Sequence, residues 1–281
     1  MKAFPIGVLL ESFQTDTHTA LKKAAELNLG GIQIYATRGK FAPRAMTPEK
    51  CREFLKLVQS YGLTITALCG DLGRGFGDPS LNPELIEESK RILELAKMLE
   101  TDIVTTHIGV IPESPEHPRY EVMQKACLEL SAYADGMDAH FAIETGPERA
   151  QTLKSFLDSL GSKGVAVNLD PANFVMVTGD DPVEAVYTLK DYIVHTHAKD
   201  GRKLLDKNPE IIYGLIEDEI QSAEAFIELP LGQGDVDFKA YLNALDQIGY
   251  HGYLTIEREV GDNPSADIAL AADYLRSLWK K

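Results

Sequence analysis

The sequence predicts a TIM barrel, in which eight β-α units close into a cylinder of parallel strands. Short apolar or β-branched runs recur along the 281 residues, with segments of helical periodicity between them, and this alternation is typical of a parallel sheet. Eight such runs fit the length of about 250 residues or more that the fold needs. The turn after the first run, LLESFQTD, contains no glycine, which argues against an open sheet with a GxGxxG turn.

The eight predicted strands follow one another at regular intervals along one domain, residues 1–281. They are Ile6 to Ser12, Gly31 to Thr37, Leu63 to Gly70, Asp102 to Gly109, His140 to Gly146, Val165 to Asn173, Ile193 to Asp200 and Gly252 to Glu259. An extended loop follows the seventh strand, from Gly201 to Leu229, and its apolar residues favour a lid or a subunit contact over disorder.

Helix starts are predicted where a capping residue precedes a proline, since proline lacks the N–H that has no partner in the first turn. Thr47, Asn82 and Asn263 are the predicted caps. The last helix is predicted from Pro264 to Lys281.

The composition weighs against several classes of partner and location. The chain is 44% hydrophobic, which allows a large core, and its formal charge of -15 weighs against nucleic acid and anionic membranes as partners. Its three cysteines are widely spaced, which fits a reducing compartment better than a disulfide framework. No apolar run approaches the roughly 20 residues of a membrane span, and the start of the chain does not resemble a signal peptide. We therefore expect a cytoplasmic protein.

Four potential metal ligands, Glu144, Asp170, His197 and Glu257, stand at the ends of the last four predicted strands. The carboxyl ends of the strands form one mouth in this fold, so these side chains are expected to meet there. Three carboxylates buried without partners would cost several kcal/mol or take up protons. We therefore predict that the four residues bind one divalent metal ion.

The ligand set suggests which metal and which substrate would bind. Three carboxylates and one imidazole suit Mn²⁺ best, with Mg²⁺, Co²⁺ and Zn²⁺ as alternatives. The ligands carry three negative charges and the metal ion carries two positive ones. The site therefore keeps a negative charge, and neutral hydroxyl and carbonyl oxygens of the substrate are expected on the metal. A polyol is the expected substrate.

Other polar residues near the strand ends have two interpretations each. His107 is either a substrate contact or a structural residue, and His195 is predicted to be a packed or hydrogen-bonded barrel residue. Lys199 and Asp200 are interpreted as loop charges, and Arg258 either orients the mouth or lies on the surface. A phosphorylated substrate stays open, because predicted loops carry basic residues: Arg38, Arg44, Arg74, Arg202 and Lys203.

The predicted ligands lie in short motifs, and five motifs follow one another along the chain in this order: IETG around Glu144, NLDPANF around Asp170, HTHAKD around His197, PLGQGDVDF, and TIERE around Glu257. In order and spacing they resemble the xylose-isomerase-like TIM barrel superfamily, specifically the sugar phosphate isomerase/epimerase group that includes tagatose and psicose 3-epimerases. The resemblance implies that the four ligands hold one metal and that Glu144 and Glu257 are the catalytic acid/base pair. It also implies a homo-oligomer, either a dimer or a tetramer.

Asn173 stands where these epimerases commonly have a substrate-contacting histidine. We predict that His107, Asn173 and Arg258 contact the substrate. The AP endonuclease branch of the superfamily holds three metals with extra histidines, and Cys69 and Asn173 occupy the corresponding places here, which disfavours DNA repair.

The reaction implied by the resemblance is proton abstraction next to a carbonyl through a metal-stabilised enediolate. The predicted function is therefore a sugar or sugar phosphate epimerase or isomerase. One alternative is a lyase or dehydratase that acts on an inosose, keto-sugar or keto-glycoside at the same metal site. The other is a non-catalytic sugar-binding or assembly subunit.

Overall fold

A computed structural model describes residues 2–217 and 224–279 of the chain. Eight of its ten strands are parallel neighbours in a closed barrel of order β1-β2-β3-β4-β5-β6-β7-β10, which confirms the predicted TIM barrel. The strands are β1 Ile6–Leu9, β2 Gly31–Tyr35, β3 Thr64–Cys69, β4 Ile103–Thr106, β5 His140–Glu144, β6 Val165–Leu169, β7 Ile193–Ala198, β8 Asp200–Lys203, β9 Phe226–Leu229 and β10 Leu254–Ile256. The predicted barrel strands extend past the observed carboxyl ends, because those residues already turn into the loops of the mouth.

Helices connect the strands, and the longer ones cover the outside of the barrel. They are α1 Thr17–Glu26, α2 Pro48–Ser60, α3 Asn82–Met98, α4 Pro118–Asp135, α5 Ala150–Leu160, α6 Pro171–Asn173, α7 Pro182–Leu189, α8 Pro209–Ile212, α9 Phe238–Gln247 and α10 Pro264–Trp279. Short 3₁₀ turns occupy Leu10–Phe13, Gly39–Phe41 and Pro43–Ala45, and a π-helical turn occupies Phe174–Thr178. Lys280 and Lys281, the end of the predicted last helix, lie outside the described residues.

Two of the three predicted helix caps are confirmed. The Thr47 hydroxyl accepts a hydrogen bond from the Lys50 N–H at 3.3 Å, and Asn263 Oδ1 accepts one from the Ala266 N–H at 3.2 Å. The prediction for Asn82 is wrong, because Asn82 is already the first residue of α3. Its buried side-chain amide donates instead to the Phe76 carbonyl at 3.1 Å and anchors the loop before the helix.

The core fills the barrel and the layer between strands and helices. Val8, Ile32, Val104, Phe141 and Val167 are fully buried in one continuous apolar cluster. Within residues 2–217 and 224–279, no helix is both long and apolar enough to cross a membrane.

The predicted loop after the seventh strand contains secondary structure of its own. β8 and β9 form an antiparallel hairpin in which Asp200 pairs with Leu229, and the short helix α8 lies between them in the sequence. Residues 218–223 of the predicted loop are outside the described part. Ile212, Tyr213 and Phe226 from this segment line the cavity at the mouth of the barrel, which supports its interpretation as a lid.

Candidate metal centre

Strand register brings the four predicted ligands together at the barrel mouth. Glu144 is the last residue of β5, Asp170 and Glu257 directly follow β6 and β10, and His197 is the second-last residue of β7. Glu144 is paired with Asn168, two residues before Asp170, and His197 is paired with Thr255, two residues before Glu257. All four side chains are buried, and one potential ligand atom from each lies within 4.8 Å of the others. The predicted convergence is confirmed.

The centre of this cluster has the character of a cation site. His197 Nδ1 lies 3.2 Å from Glu257 Oε2, 3.6 Å from Glu144 Oε1 and 3.7 Å from Asp170 Oδ2. Both His197 Nδ1 and Asp170 Oδ2 are buried and have no hydrogen-bond partner among the described residues. Buried polar atoms nearly always have a partner, so the four residues fit a bound divalent ion that satisfies both atoms.

The electrostatics of the cluster demand positive charge at the same place. Burial lowers the pKa of His197, but Glu257 and Glu144 outweigh it and hold that pKa well above its ordinary value. Burial raises the pKa of Glu257, but Lys199 and His197 hold it well below its usual range. The Glu257 carboxylate thus stays ionised beside a cation, which is either a proton on the imidazole or a metal.

Local backbone structure fixes Asp170 in the cluster. Its Oδ1 accepts hydrogen bonds from the N–H groups of Ala172 at 2.8 Å and Asn173 at 3.1 Å, which caps the turn α6. The Thr145 hydroxyl accepts from the Asp170 N–H at 2.8 Å and donates to its carbonyl at 3.0 Å. Only Oδ2 is left to face the centre.

Asn173 orients one of the two predicted catalytic carboxylates. Its side-chain amide donates to Glu144 Oε1 and to the Thr145 carbonyl, both at 3.1 Å. This approach depends on Gly146, because a Cβ at that position would lie 2.5 Å from the Asn173 Cβ and its φ of 138° is unfavourable for other residues. Asn173 also lines the cavity, so its predicted contact with substrate stays a prediction.

Gln33 sets the orientation of His197 from the opposite side of the barrel. Gln33 Oε1 lies 3.0 Å from His197 Nε2 and 3.2 Å from His195 Nε2. An oxygen can only accept, so this contact favours a proton on His197 Nε2 and leaves Nδ1 facing the cluster, where it would bind a metal. His195 is a buried, hydrogen-bonded barrel residue as predicted, and burial lowers its pKa to about 3.

Lys199 and Asp200 are not loop charges, which corrects the interpretation from sequence. Lys199 is buried, and its Nζ donates to Glu257 Oε2 at 3.1 Å and to Glu259 Oε2 at 2.5 Å. Asp200 is buried too and accepts from the N–H groups of Gly201, Gly232, Gly234 and Val236. The PLGQGDVDF motif therefore folds around the Asp200 carboxylate.

Arg258 connects the lid to the barrel. Its guanidinium Nη1 donates to Glu228 Oε1 on β9 at 2.5 Å, and its Nε donates to Asp267 Oδ2 on α10 at 2.8 Å. It is buried and does not line the cavity beside the cluster. The structure thus gives Arg258 the role of orienting the mouth, and its predicted contact with substrate stays a prediction.

The cluster forms part of the wall of a cavity of about 300 Å³, here named the metal-centre cavity. His107 lies on this wall, with Nε2 3.6 Å from Glu144 Oε1, and the Tyr213 ring is 5.9 Å from the His107 ring. Three more carboxylates line the cavity besides those of the cluster, namely Asp71, Glu228 and Glu259, and Lys199 is also among its lining residues.

Several residues of this site were not predicted from sequence, among them Gln33, Glu228 and Tyr213. Gln33 had a signal, because it is the one polar residue in the apolar run GIQIY and shares a face with inward residues. Glu228 and Tyr213 come from the lid, whose path over the mouth has no signature in the local sequence.

Fold and site together define a TIM barrel with a buried carboxylate-histidine cluster at the carboxyl ends of its strands. The sequence matches the xylose isomerase-like TIM barrel family over residues 21–278, and the chain belongs to this family. An uncharacterized protein of Methanocaldococcus jannaschii is 21% identical over 257 residues, which cover 86% of this chain and 78% of that protein. An inosose dehydratase of Geobacillus thermodenitrificans is 26% identical over 141 residues, or 49% of this chain and 46% of that protein.

Solved structures of the same fold extend over the whole chain. A xylose isomerase domain protein from Planctomyces limnophilus has a TM-score of 0.79 and 26% identity, covering 98% of this chain and 96% of that chain. A D-psicose 3-epimerase from Clostridium cellulolyticum, solved with D-tagatose, has a TM-score of 0.74 and 15% identity, covering 99% of this chain and 100% of that chain. A xylose isomerase-like TIM barrel protein from Mycobacterium smegmatis in complex with magnesium has a TM-score of 0.73 and 16% identity, covering 99% of this chain and 98% of that chain. The proteins that this chain resembles thus include both epimerases and dehydratases.

Proposed function

We propose that this protein is a divalent-metal-dependent sugar epimerase or isomerase that moves a proton next to a carbonyl group. The observation that carries the proposal is the buried cluster of three carboxylates and one imidazole on the wall of a cavity of about 300 Å³. Glu144, Asp170, His197 and Glu257 would hold the metal, with Mn²⁺ preferred and Mg²⁺, Co²⁺ or Zn²⁺ as alternatives. When bound, the ion would polarise the substrate carbonyl and offset the negative charge that develops on its oxygen.

Glu144 and Glu257 are the residues proposed to move the proton. One carboxylate removes it from the carbon beside the carbonyl, and the other returns a proton to the same carbon for epimerisation or to its neighbour for isomerisation. Asn173 holds Glu144 and Lys199 holds Glu257 through the hydrogen bonds described above. Both carboxylates are thereby oriented before substrate binds.

An uncharged polyol is the proposed substrate class. The residues that line the metal-centre cavity include several carboxylates but no arginine, so a phosphate would meet mainly negative charge. The basic loop residues do not compensate, because none of Arg38, Arg44, Arg74, Arg202 and Lys203 lines this cavity. His107 can donate or accept a hydrogen bond to a substrate hydroxyl.

The experiment is solvent deuterium exchange into a panel of ketoses, followed by NMR in the presence of Mn²⁺. The Glu144→Gln and Glu257→Gln variants should each lose exchange by a factor of about 100 or more, while Glu53→Gln, at an exposed position on α2, should keep it. Metal content is measured for each variant, since both glutamates are proposed ligands. Retained exchange in both variants would contradict the acid/base assignment.

A dehydratase is the second candidate, favoured by the similarity to an inosose dehydratase over half of the chain. After the same proton abstraction, the hydroxyl on the next carbon could take up the proton and leave as water, so that no proton returns to carbon. Mass spectrometry of the products separates the two candidates, because elimination lowers the substrate mass by one water and epimerisation leaves it unchanged.

A further inference from the structure

A second cavity, of about 630 Å³, lies beside the metal-centre cavity and is here named the outer groove. The two share a wall, because Val177 lines both. The short helix α8 belongs to the same wall: Pro209 and Glu210 face the outer groove, whereas Ile212 and the following Tyr213 face the metal-centre cavity. A ligand that extends past this wall would occupy both spaces.

The polypeptide itself links the metal cluster to the outer groove. Glu144 is a proposed metal ligand, and the chain passes from it through Gly146 to Pro147 and Glu148, which line the groove. The Tyr213 hydroxyl lies beside this connecting stretch, because a Cβ at Gly146 would be 3.3 Å from it. The two spaces are therefore adjacent at the level of single side chains.

Glu148 presents an unused polar atom to the outer groove. The side chain is only 6% exposed, and Oε2 accepts a hydrogen bond from the Ile111 N–H at 3.4 Å. The described residues supply no hydrogen bond to Oε1, which leaves this oxygen to the groove that the side chain lines. Burial raises the pKa of Glu148 to about 8, so at neutral pH the group retains its proton and can both donate to and accept from a hydroxyl.

The remaining lining suits an uncharged polyol better than an anion. Three cations of the groove are already in ion pairs, namely Arg119 with Glu210, Arg149 with Asp180, and Lys203 with Asp206. Arg119 Nε is buried and has no hydrogen-bond partner among the described residues. The groove also has apolar surface beside these polar groups. It comes from Val110, Ile111, Pro112, Pro147 and Pro209. Sugars match such a surface, because their rings have apolar faces and polar edges.

We propose that the outer groove is a second sugar subsite and that the substrate of the metal centre is a keto-sugar bearing a further glycosyl group. Glu148 would hydrogen-bond the hydroxyls of that group. This inference rests on the proposed function, in which the ring of a keto-sugar occupies the metal-centre cavity. That cavity, at about 300 Å³, is at the small end of ligand sites. The second ring would therefore lie in the outer groove.

The test compares binding of a ketose with binding of its glycosylated forms. Isothermal titration with Mn²⁺ present would use D-fructose and three glucosyl fructoses, turanose, leucrose and isomaltulose, which carry glucose at different hydroxyls. We expect at least one of them to bind at least tenfold more tightly than D-fructose. Thr152→Trp, on the groove side of α5, should reduce that ratio to about one. Ser155→Trp, at an exposed position on the same helix that lines neither cavity, should keep it.

A second variant addresses the same question without filling the groove. Glu148→Gln retains an oxygen for the Ile111 N–H, so it should fold. In place of Oε1 it presents an NH2 group, which donates but cannot accept, so it should weaken binding of the preferred glucosyl fructose by about three- to tenfold, the worth of one hydrogen bond. Thermal melting and Mn²⁺ affinity check that each variant is intact. The subsite is contradicted if the wild type prefers no glucosyl fructose, or if the preference survives both Thr152→Trp and Glu148→Gln.

Proton exchange on the ketose panel reports separately on the proposed function. Preference for a glucosyl fructose without exchange would contradict the epimerase or isomerase function and support the subsite. Exchange without such preference would support that function and contradict the subsite.

Discussion

At the scale of single residues, the candidate site depends on groups that do not themselves touch the proposed metal. Gln33 is the clearest case, because its one carbonyl oxygen lies within hydrogen-bond distance of two imidazoles and fixes which nitrogen of His197 faces the carboxylates. Its side-chain amide in turn donates to the Thr105 hydroxyl at 2.8 Å. The orientation of the ligand is thus held by a chain of buried hydrogen bonds across the barrel.

Replacing Gln33 with methionine should weaken Mn²⁺ binding by about 10- to 100-fold, the usual effect of removing a partner behind a ligand. Methionine is similar in size but offers no oxygen to His197 Nε2, so the imidazole loses its fixed tautomer. Titration calorimetry measures the affinity, and ¹⁵N chemical shifts of the imidazole show which nitrogen carries the proton. Gln59→Met, at an exposed position on α2, serves as the control. Unchanged affinity and tautomer in the Gln33 variant would refute this role.

At the scale of elements, the sequence predicts the repeating strands of the barrel but not the contacts of individual side chains outside that repeat. The barrel strands have a period and end at polar residues, so Glu144, Asp170, His197 and Glu257 could be placed at one mouth before the structure was known. The prediction of a cap at Asn82 failed because Asn82 already lies in the first turn of α3, where its side-chain amide donates to the Phe76 carbonyl of the preceding loop. Lys199 was misread because its partners Glu257 and Glu259 are about 60 residues away in sequence, and no local pattern records such a contact.

The lid hairpin makes a testable contact with the barrel through Arg258 and Glu228. Both side chains are less than 10% exposed, so Arg258→Leu would leave the Glu228 carboxylate buried with only Lys199, 4.0 Å away, as a cation. We expect a loss of about 3 kcal/mol in the free energy of unfolding, measured by urea denaturation. The double variant Arg258→Leu/Glu228→Leu should lose less than the sum of the two single variants.

A nearby ion pair provides the control for this experiment. Arg202 and Asp235 pair at 2.9 Å, but both are about half exposed, and water screens such pairs. Arg202→Leu should therefore cost less than about 1 kcal/mol. Equal costs for Arg202→Leu and Arg258→Leu would show that burial of the Arg258 pair has no energetic consequence, and would remove the argument that it anchors the lid.

At the scale of the whole molecule, the proposed metal joins neighbouring strands of a closed sheet. Its ligands come from β5, β6, β7 and β10, which are consecutive in the barrel, whereas β1 to β4 contribute none. Because closure leaves no free edge at which half of the sheet could separate, binding to one side should stabilise the barrel as a unit. The metal would then act on global unfolding and not on a local segment.

Removing the metal should therefore lower the stability of the whole chain in a single step. At a free Mn²⁺ concentration 100 times Kd, mass action adds about 2.7 kcal/mol to the free energy of unfolding, or roughly 5 to 10 °C in Tm for a chain of this size. Calorimetry in Mn²⁺ and in EDTA measures the shift. Asp170→Asn is the matched control, because the amide oxygen can still cap α6 while the charge is lost, and nonspecific Mn²⁺ binding to the acidic surface is retained. An equal shift in this variant would place the bound Mn²⁺ elsewhere, and two separate transitions would contradict a barrel that unfolds as one unit.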